Sequence, residues 1–504
     1  MHQAVLKAWQ DLHSWIGLVL GLLLYVVCFS GVVALFEIEI GPWERTDTRP
    51  PPVPVAAALD RAVAEGIVGA EEGLRAGGSL TVLLPDRYRP AISVQPSIGE
   101  DGPATVRRYN PATGQEMVED SRAGALLLRH LHTDLLLPAP WGRYLVGGLG
   151  VVMLVSVITG ALLHRKMIVE AFTLRLARSR RLAWTDAHKI IGLWGLPFHA
   201  VLALTGAVLG FAGLVLIPAA LTSFRGDAGA ALDALGSVRA QPAGIAAPMV
   251  PLSDLLDRAQ AALPGMAPEV VVFQAYGDAE AVLEVFGNRP GALVYYPSVT
   301  LRGVDGAVLA VTDWSGEGIG RQLYAMVTPL HYASYGGLAL KLLYAILGAG
   351  TCFLAVSGLH IWRARHRGHR PGLDRLATAV FHGLPLATLG LLVASRLLPR
   401  SVAGDEAAMM AGFLALWAAC AAWPWVRGAA PAARDLGMGT AVLLLACPLV
   451  TMLAGGGTPW TLVANDAIPV AMVDALGIIG GAALLGWTLR TREARGVHAE
   501  VEPG

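Results

Sequence analysis

Six of the thirteen histidines in this chain, His13, His132, His188, His199, His331 and His360, stand where they could ligate a metal within or at the edge of an apolar run. Ionisable side chains inside a hydrocarbon layer are costly and mark function by default, whereas a histidine at a span end can be solvated by the interface. His188 and His199 are eleven residues apart in one apolar run. On a single helix that spacing returns them to within about 20° of one face and separates them by about 16 Å along the axis. Two imidazoles at two depths are what two stacked haems, or one haem and another acceptor, would need to bridge a bilayer. Neutral imidazole is a strong axial ligand for iron held six-coordinate. The second ligand must come from another helix: His13, His164 or His360 at the inner level, and His132 or His331 at the outer level. The sequence leaves that pairing open.

Other residues carry less. His130, beside His132, reads as solvated, His366 and His369 sit among arginines, and His382 reads as a packing or interfacial histidine. Arg129, Arg143, Arg321 and Lys341 flank the outer ends of ligand-bearing spans and could neutralise haem propionates, although interfacial anchoring accounts for most of them. Gly17, Gly21, Gly31, Gly192, Gly195 and Gly206 share helices with the histidines and allow helices or a flat macrocycle to approach closely. Cys28, Cys352, Cys420 and Cys447 lie within spans with no zinc or disulfide spacing and read as small apolar residues.

The elements that must position these side chains are membrane spans. The chain is 504 residues long, 54% hydrophobic and 15% charged, outside the usual range for a soluble domain. About eight runs are long enough to cross a hydrocarbon core, near 12–36, 142–164, 188–217, 338–362, 376–397, 406–426, 435–454 and 468–489. The first runs into Glu37 and Glu39 without a small-residue cleavage site, so it reads as a retained anchor. Arg165, Lys166, Arg175, Arg178, Arg180 and Arg181 follow the second span, and Arg363, Arg365, Arg367 and Arg370 follow the fourth. By the excess of basic residues in cytoplasmic loops, both termini are inside the cell and the long connections are outside. The 38 basic residues balance 38 acidic ones, so nothing points to nucleic acid. Beyond the histidines the spans show almost no ionisable groups of the kind a permeation path would need.

The long connections, 37–141 and 218–337, each predict a small α+β module. The first has a helix-like run from Pro54 to Gly66, β-type segments at Leu80–Leu84, Ala91–Gln95 and Val106–Tyr109, and a turn from Asn110 to Gly114. The second repeats the order with Leu252–Leu263, then Val270–Gln274, Ala281–Phe286 and Ala292–Tyr296, and a turn from Gly303 to Gly306. The spans repeat as well. His13, Gly17, Ser30 and Gly31 match His188, Gly192, Thr205 and Gly206 in spacing, and Leu131-His132 precedes Thr159-Gly160 much as Leu330-His331 precedes Ser357-Gly358. A doubled unit of span, module and span follows. The expected fold is a polytopic α-helical membrane protein with two small modules. Its parts are a first span (1–36), module 1 (37–141), two spans with a basic loop (142–217), module 2 (218–337), a fourth span (338–362) and a four-span extension (363–504).

The runs LHSWIGLVLGLLLYVVCFSGVVALF, DAHKIIGLWGLPFHAVLALTGAVLG, LHYASYGGLALKLLYAILG and SGLHIWRAR, with LRHLHTDLLL before the second span, resemble the signature helices of the PepSY-associated transmembrane family of bacterial iron-regulated membrane proteins. The resemblance covers about residues 5–370 and makes the outer modules PepSY-like. Because the family includes haem-binding inner-membrane reductases of ferric siderophores, it implies haem b, in two copies, and a ferric chelate as substrate. No nucleotide-binding loop or dinucleotide fingerprint is present, so electrons must come from a membrane quinol or a cytoplasmic reductase. The alternatives are a non-enzymatic PepSY-type binding or regulatory scaffold, or a siderophore permease.

Overall fold

The computed structural model describes residues 3–45, 55–86, 90–98, 106–117, 122–164, 169, 172–175, 179–223, 225, 239–289, 293, 297–314, 316, 318–366 and 370–499. In chain order the principal helices are α1 (Gln3–Val19), α2 (Gly21–Ala34), α3 (Glu37–Glu44), α4 (Ala56–Gly66), α5 (Gly124–Thr133), α6 (Trp141–Leu163), α7 (Arg180–Trp194), α8 (Leu196–Ser223), α9 (Leu252–Ala262), α10 (Ile319–Tyr332), α11 (Gly337–Arg365), α12 (Pro371–Phe381), α13 (Gly383–Leu397), α14 (Glu406–Arg427), α15 (Ala429–Leu453) and α16 (Ile468–Ala499). The strands are β1 (Ser79–Leu83), β2 (Ile92–Ser97), β3 (Arg107–Tyr109), β4 (Ala267–Gln274), β5 (Val282–Asn288), β6 (Ser298–Arg302) and β7 (Val308–Thr312). Among the described residues seven helical segments are long and apolar enough to cross a membrane, and α1 with α2, bent by 66°, makes an eighth. The chain is a multi-pass membrane protein with a small antiparallel sheet region.

Two compact units divide it. One comprises Met1–Thr48, Asp120–Gly210 and Lys341–Gly504, and the other Arg49–Glu119 and Phe211–Leu340.

In the helical unit, two runs that read as single spans are each interrupted. α1 gives way to α2 at Leu20, and α7 gives way to α8 at Gly195. Leu20 and Gly195 are 175 residues apart, as His13 and His188 are, so the break belongs to the repeat. At the second break Pro197 has no N–H to carry the helical ladder, while Gly195 N still donates to Ile191 O at 3.0 Å and His199 N to Gly195 O at 2.8 Å. His188 and His199 therefore belong to two successive helices, where a single rod was expected.

The last helices are held to the first by buried polar contacts. Trp43 Nε1 on α3 donates to Asp474 Oδ1 on α16 at 2.9 Å, and Thr451 Oγ1 on α15 donates to the same oxygen at 2.8 Å. Arg396 lies over the Trp43 ring at 4.8 Å, and Glu44 accepts from Ala125 N at the start of α5. Arg396 and Asp474 are both 2% exposed. The expectation of almost no buried charge in the spans is thus corrected, because a single ionisable residue in a long apolar window hardly lowers its mean hydropathy.

In the other unit the two expected modules share one seven-stranded antiparallel sheet of order β3-β2-β1-β4-β5-β6-β7. The join is the β1–β4 pair, with Leu80 opposite Phe273 and Val82 opposite Val271. Each module thereby covers the other's open strand edge, which would otherwise invite outside pairing. Leu80, Val82, Phe273, Leu283 and Leu301 alternate onto a face packed with Leu59 of α4 and Leu255 of α9. The expected segment at 292–296 lies outside the described residues apart from Leu293. The turn 303–306 joins β6 and β7, with Arg302 N donating to Ala307 O at 2.8 Å.

Glu284 projects from the opposite face, opposite Val272 and Thr300, and accepts from Ser298 Oγ at 2.8 Å. Burial pushes its carboxyl above the usual range. A carboxyl raised in the folded state binds protons more tightly there than in the unfolded chain, so stability is lost as pH rises through that interval. Glu284→Gln should therefore stabilise this unit at neutral pH, with the gain fading as pH falls to about 4. Amide exchange in β4–β6 of the full chain at the two pH values reads this out, and equal protection in both proteins at neutral pH would contradict it.

Candidate functional site

The helical unit brings the rings of His13 and His188, the twins of the repeat, into an edge-on contact. Their ring centroids are 6.3 Å apart and their planes cross at 88°. Two imidazoles bound to opposite sides of one metal, with bonds of about 2 Å and about 1 Å from each nitrogen to its ring centre, would be about 6 Å apart. His13 Nδ1 lies 3.1 Å from Ser156 O and 3.0 Å from Thr159 Oγ1. A carbonyl oxygen only accepts, so this nitrogen carries the proton and Nε2 carries the lone pair. His188 Nδ1 is 2.8 Å from Ser357 Oγ on α11. His164 follows α6 within electrostatic reach of both rings.

Two further histidines show the same division of roles. His132 Nδ1 on α5 donates to Val27 O at 2.9 Å. The His199 ring has the Leu347 carbonyl as its hydrogen-bond partner, and its Nε2 is buried without a hydrogen-bond partner among the described residues. An unpaired buried ring nitrogen is a costly vacancy in hydrogen bonding that a metal ligand bond would fill. His360 is placed differently: Trp184 stacks on it at 4.6 Å and 16°. His331 belongs to the other compact unit and packs beside Tyr332.

Haem fits these residues. It would need two protein nitrogens per iron because the macrocycle supplies the rest, in accord with pairs of imidazoles. Gly21 is buried, yet nothing lies within 4 Å of where a Cβ would stand. The flanking cations are engaged elsewhere. Lys341 pairs with Glu39 at 2.6 Å and Arg129 with Glu37 at 3.2 Å, so neither is a free counter-ion for a propionate. His130 pairs with Glu406 at 3.0 Å, and His366 stacks on Trp362.

Sequence reasoning missed three contributors. Thr159 and Ser357 looked like helix-packing residues, although they recur in the repeat together with the histidines they bond. Asp186, two residues before His188, takes Arg175 Nε and Nη2 at 2.9 and 2.8 Å and Lys189 at 3.3 Å. The Arg175 guanidinium holds its carboxyl well below the usual range, tying the basic loop to the start of α7.

Gly31 is required by His132, since a Cβ there would stand 2.7 Å from Cε1 of the ring, whereas Gly17 faces open space. Gly31→Ala should cost about 1–3 kcal/mol through overpacking, and Gly17→Ala should leave stability unchanged or improved. Thermal unfolding in detergent compares them, and equal melting temperatures would contradict this packing.

Residues 10–365 match the model of the PepSY-associated TM region. An uncharacterized protein of Pseudomonas aeruginosa is 30% identical over 397 residues, an alignment covering 74% of this chain and 97% of that protein. The chain therefore belongs to the PepSY-associated TM family.

Proposed function

We propose that this protein is a haem-holding oxidoreductase of the bacterial inner membrane that reduces a ferric chelate on the periplasmic side, a ferric-siderophore reductase serving iron acquisition. The observation that carries the reading is the opposed His13–His188 pair, joined by the buried, unpartnered Nε2 of His199. His13 and His188 would hold one haem b. His199 would hold a second, with His132 the outer-level candidate in the same compact unit. Haem bound by two imidazoles supplies one-electron transfer without opening a position for a substrate. The chain's own part is to fix the tautomer and aim of each ring, and to bury it away from competing water.

Reducing ferric to ferrous iron weakens the hold of hard oxygen ligands, which is the step that frees iron from a siderophore. The basic loops support cytoplasmic termini, and the electrons would come from a membrane quinol or a cytoplasmic reductase.

Protein purified in detergent should show a Soret band, with visible bands that sharpen on dithionite reduction, and a ferric hydroxamate should return the oxidised spectrum. His188→Ala and His199→Ala should each lose haem or shift the spectrum. Colourless wild-type protein, or a reduced spectrum indifferent to ferric chelates, would refute the function. Unchanged spectra in both variants would refute the ligand assignment.

A further inference from the structure

We infer that Thr159 and Ser357 are positioning residues that lock His13 and His188 in the Nδ1–H form and set the donor strength of their Nε2 atoms. The inference rests on the haem reading above. A neutral imidazole has one donor and one acceptor nitrogen, and the metal must take the acceptor. What selects the tautomer is whether the group facing Nδ1 can donate. Thr159 Oγ1 gives its only proton to the backbone, with Val155 O at 2.8 Å and Ser156 O at 3.1 Å. Ser357 Oγ likewise donates to Leu354 O at 3.3 Å. With a backbone carbonyl available to take its proton, each hydroxyl can present a lone pair to its histidine and accept from Nδ1–H. Both hydroxyl residues are fully buried, so water does not compete.

The repeat makes the same device twice. Thr159-Gly160 and Ser357-Gly358 are equivalent pairs, and a Cβ on either glycine would lie 3.4 and 3.6 Å from Cε1 of His13 and His188. Those are ordinary contacts, so the hydroxyl is the specific element and the glycine is not. The copies are unequal in one respect. His13 Nδ1 also has the Ser156 carbonyl at 3.1 Å, whereas Ser357 Oγ is the one acceptor described for His188 Nδ1. Removing a hydroxyl should therefore cost more at Ser357. A ligand whose N–H is held by an acceptor is a stronger base toward the metal, and a stronger donor favours the ferric state.

The test uses full-length protein in detergent carrying Thr159→Val, Ser357→Ala, or the exchanges Thr159→Ser and Ser357→Thr. The first two nearly conserve volume, so helix packing persists. Haem content and midpoint potential are measured by spectroelectrochemical titration. Ser357→Ala should raise the potential of one haem and weaken haem retention about tenfold or more, Thr159→Val should do so less, and the hydroxyl-retaining exchanges should restore wild-type values. Full haem content with an unmoved potential in both Thr159→Val and Ser357→Ala would overturn the inference while leaving the haem reading intact. Wild-type protein without haem would overturn that reading and this inference with it.

Discussion

A buried imidazole that is to bind metal must give one nitrogen to the protein and keep the other for the ion. Under the proposed haem-holding function, histidines of the helical unit would divide their nitrogens in this way. Nδ1 of His13, His188 and His132 is turned to an oxygen of a neighbouring helix, and Nε2 of His199 is left bare in the interior. Each orientation needs an acceptor at the right height on another helix, so it constrains how α1 meets α6, how α7 meets α11, and how α2 meets α5. The glycine at position 31 leaves room for the His132 ring.

Duplication explains the symmetry of one pair and the asymmetry of the rest. His13 and His188 descend from one position of the repeat and meet across it. His199 does not share this origin, since the residue 175 positions earlier is Leu24. Two copies of the ancestral unit therefore supply the matched pair His13 and His188, while His199 is a position the first copy does not share. In the second compact unit duplication shows as sheet pairing: β1 and β4, equivalent strands of the two modules, pair antiparallel at the centre of seven strands.

Much of this was legible in the chain because its signals are local or periodic. Apolar runs gave the spans, β-type segments gave β1 to β5, and matched spacing gave the His13–His188 equivalence. What depended on distant partners was hidden. The pairing of Leu80 with Phe273 has no local mark. Nor does the choice of Thr159 and Ser357 as acceptors, because a hydroxyl beside a glycine reads equally well as helix packing. The break at Gly195 did have a local mark, Gly195-Leu196-Pro197, but averaging hydropathy over the run erased it. The same averaging passed over Arg396 and Asp474, whose burial is made tolerable by Trp43, Thr451 and each other's charge.

The proposed site would hold its metal between two crossed rings, and the crossing is itself measurable. Low-temperature electron paramagnetic resonance of the oxidised protein should show a low-spin ferric signal of the strongly anisotropic kind that nearly perpendicular axial imidazoles produce, in keeping with the 88° between His13 and His188. Either His13→Ala or His188→Ala should abolish that signal. A spectrum holding only high-spin iron, or no haem iron at all, would contradict the central claim.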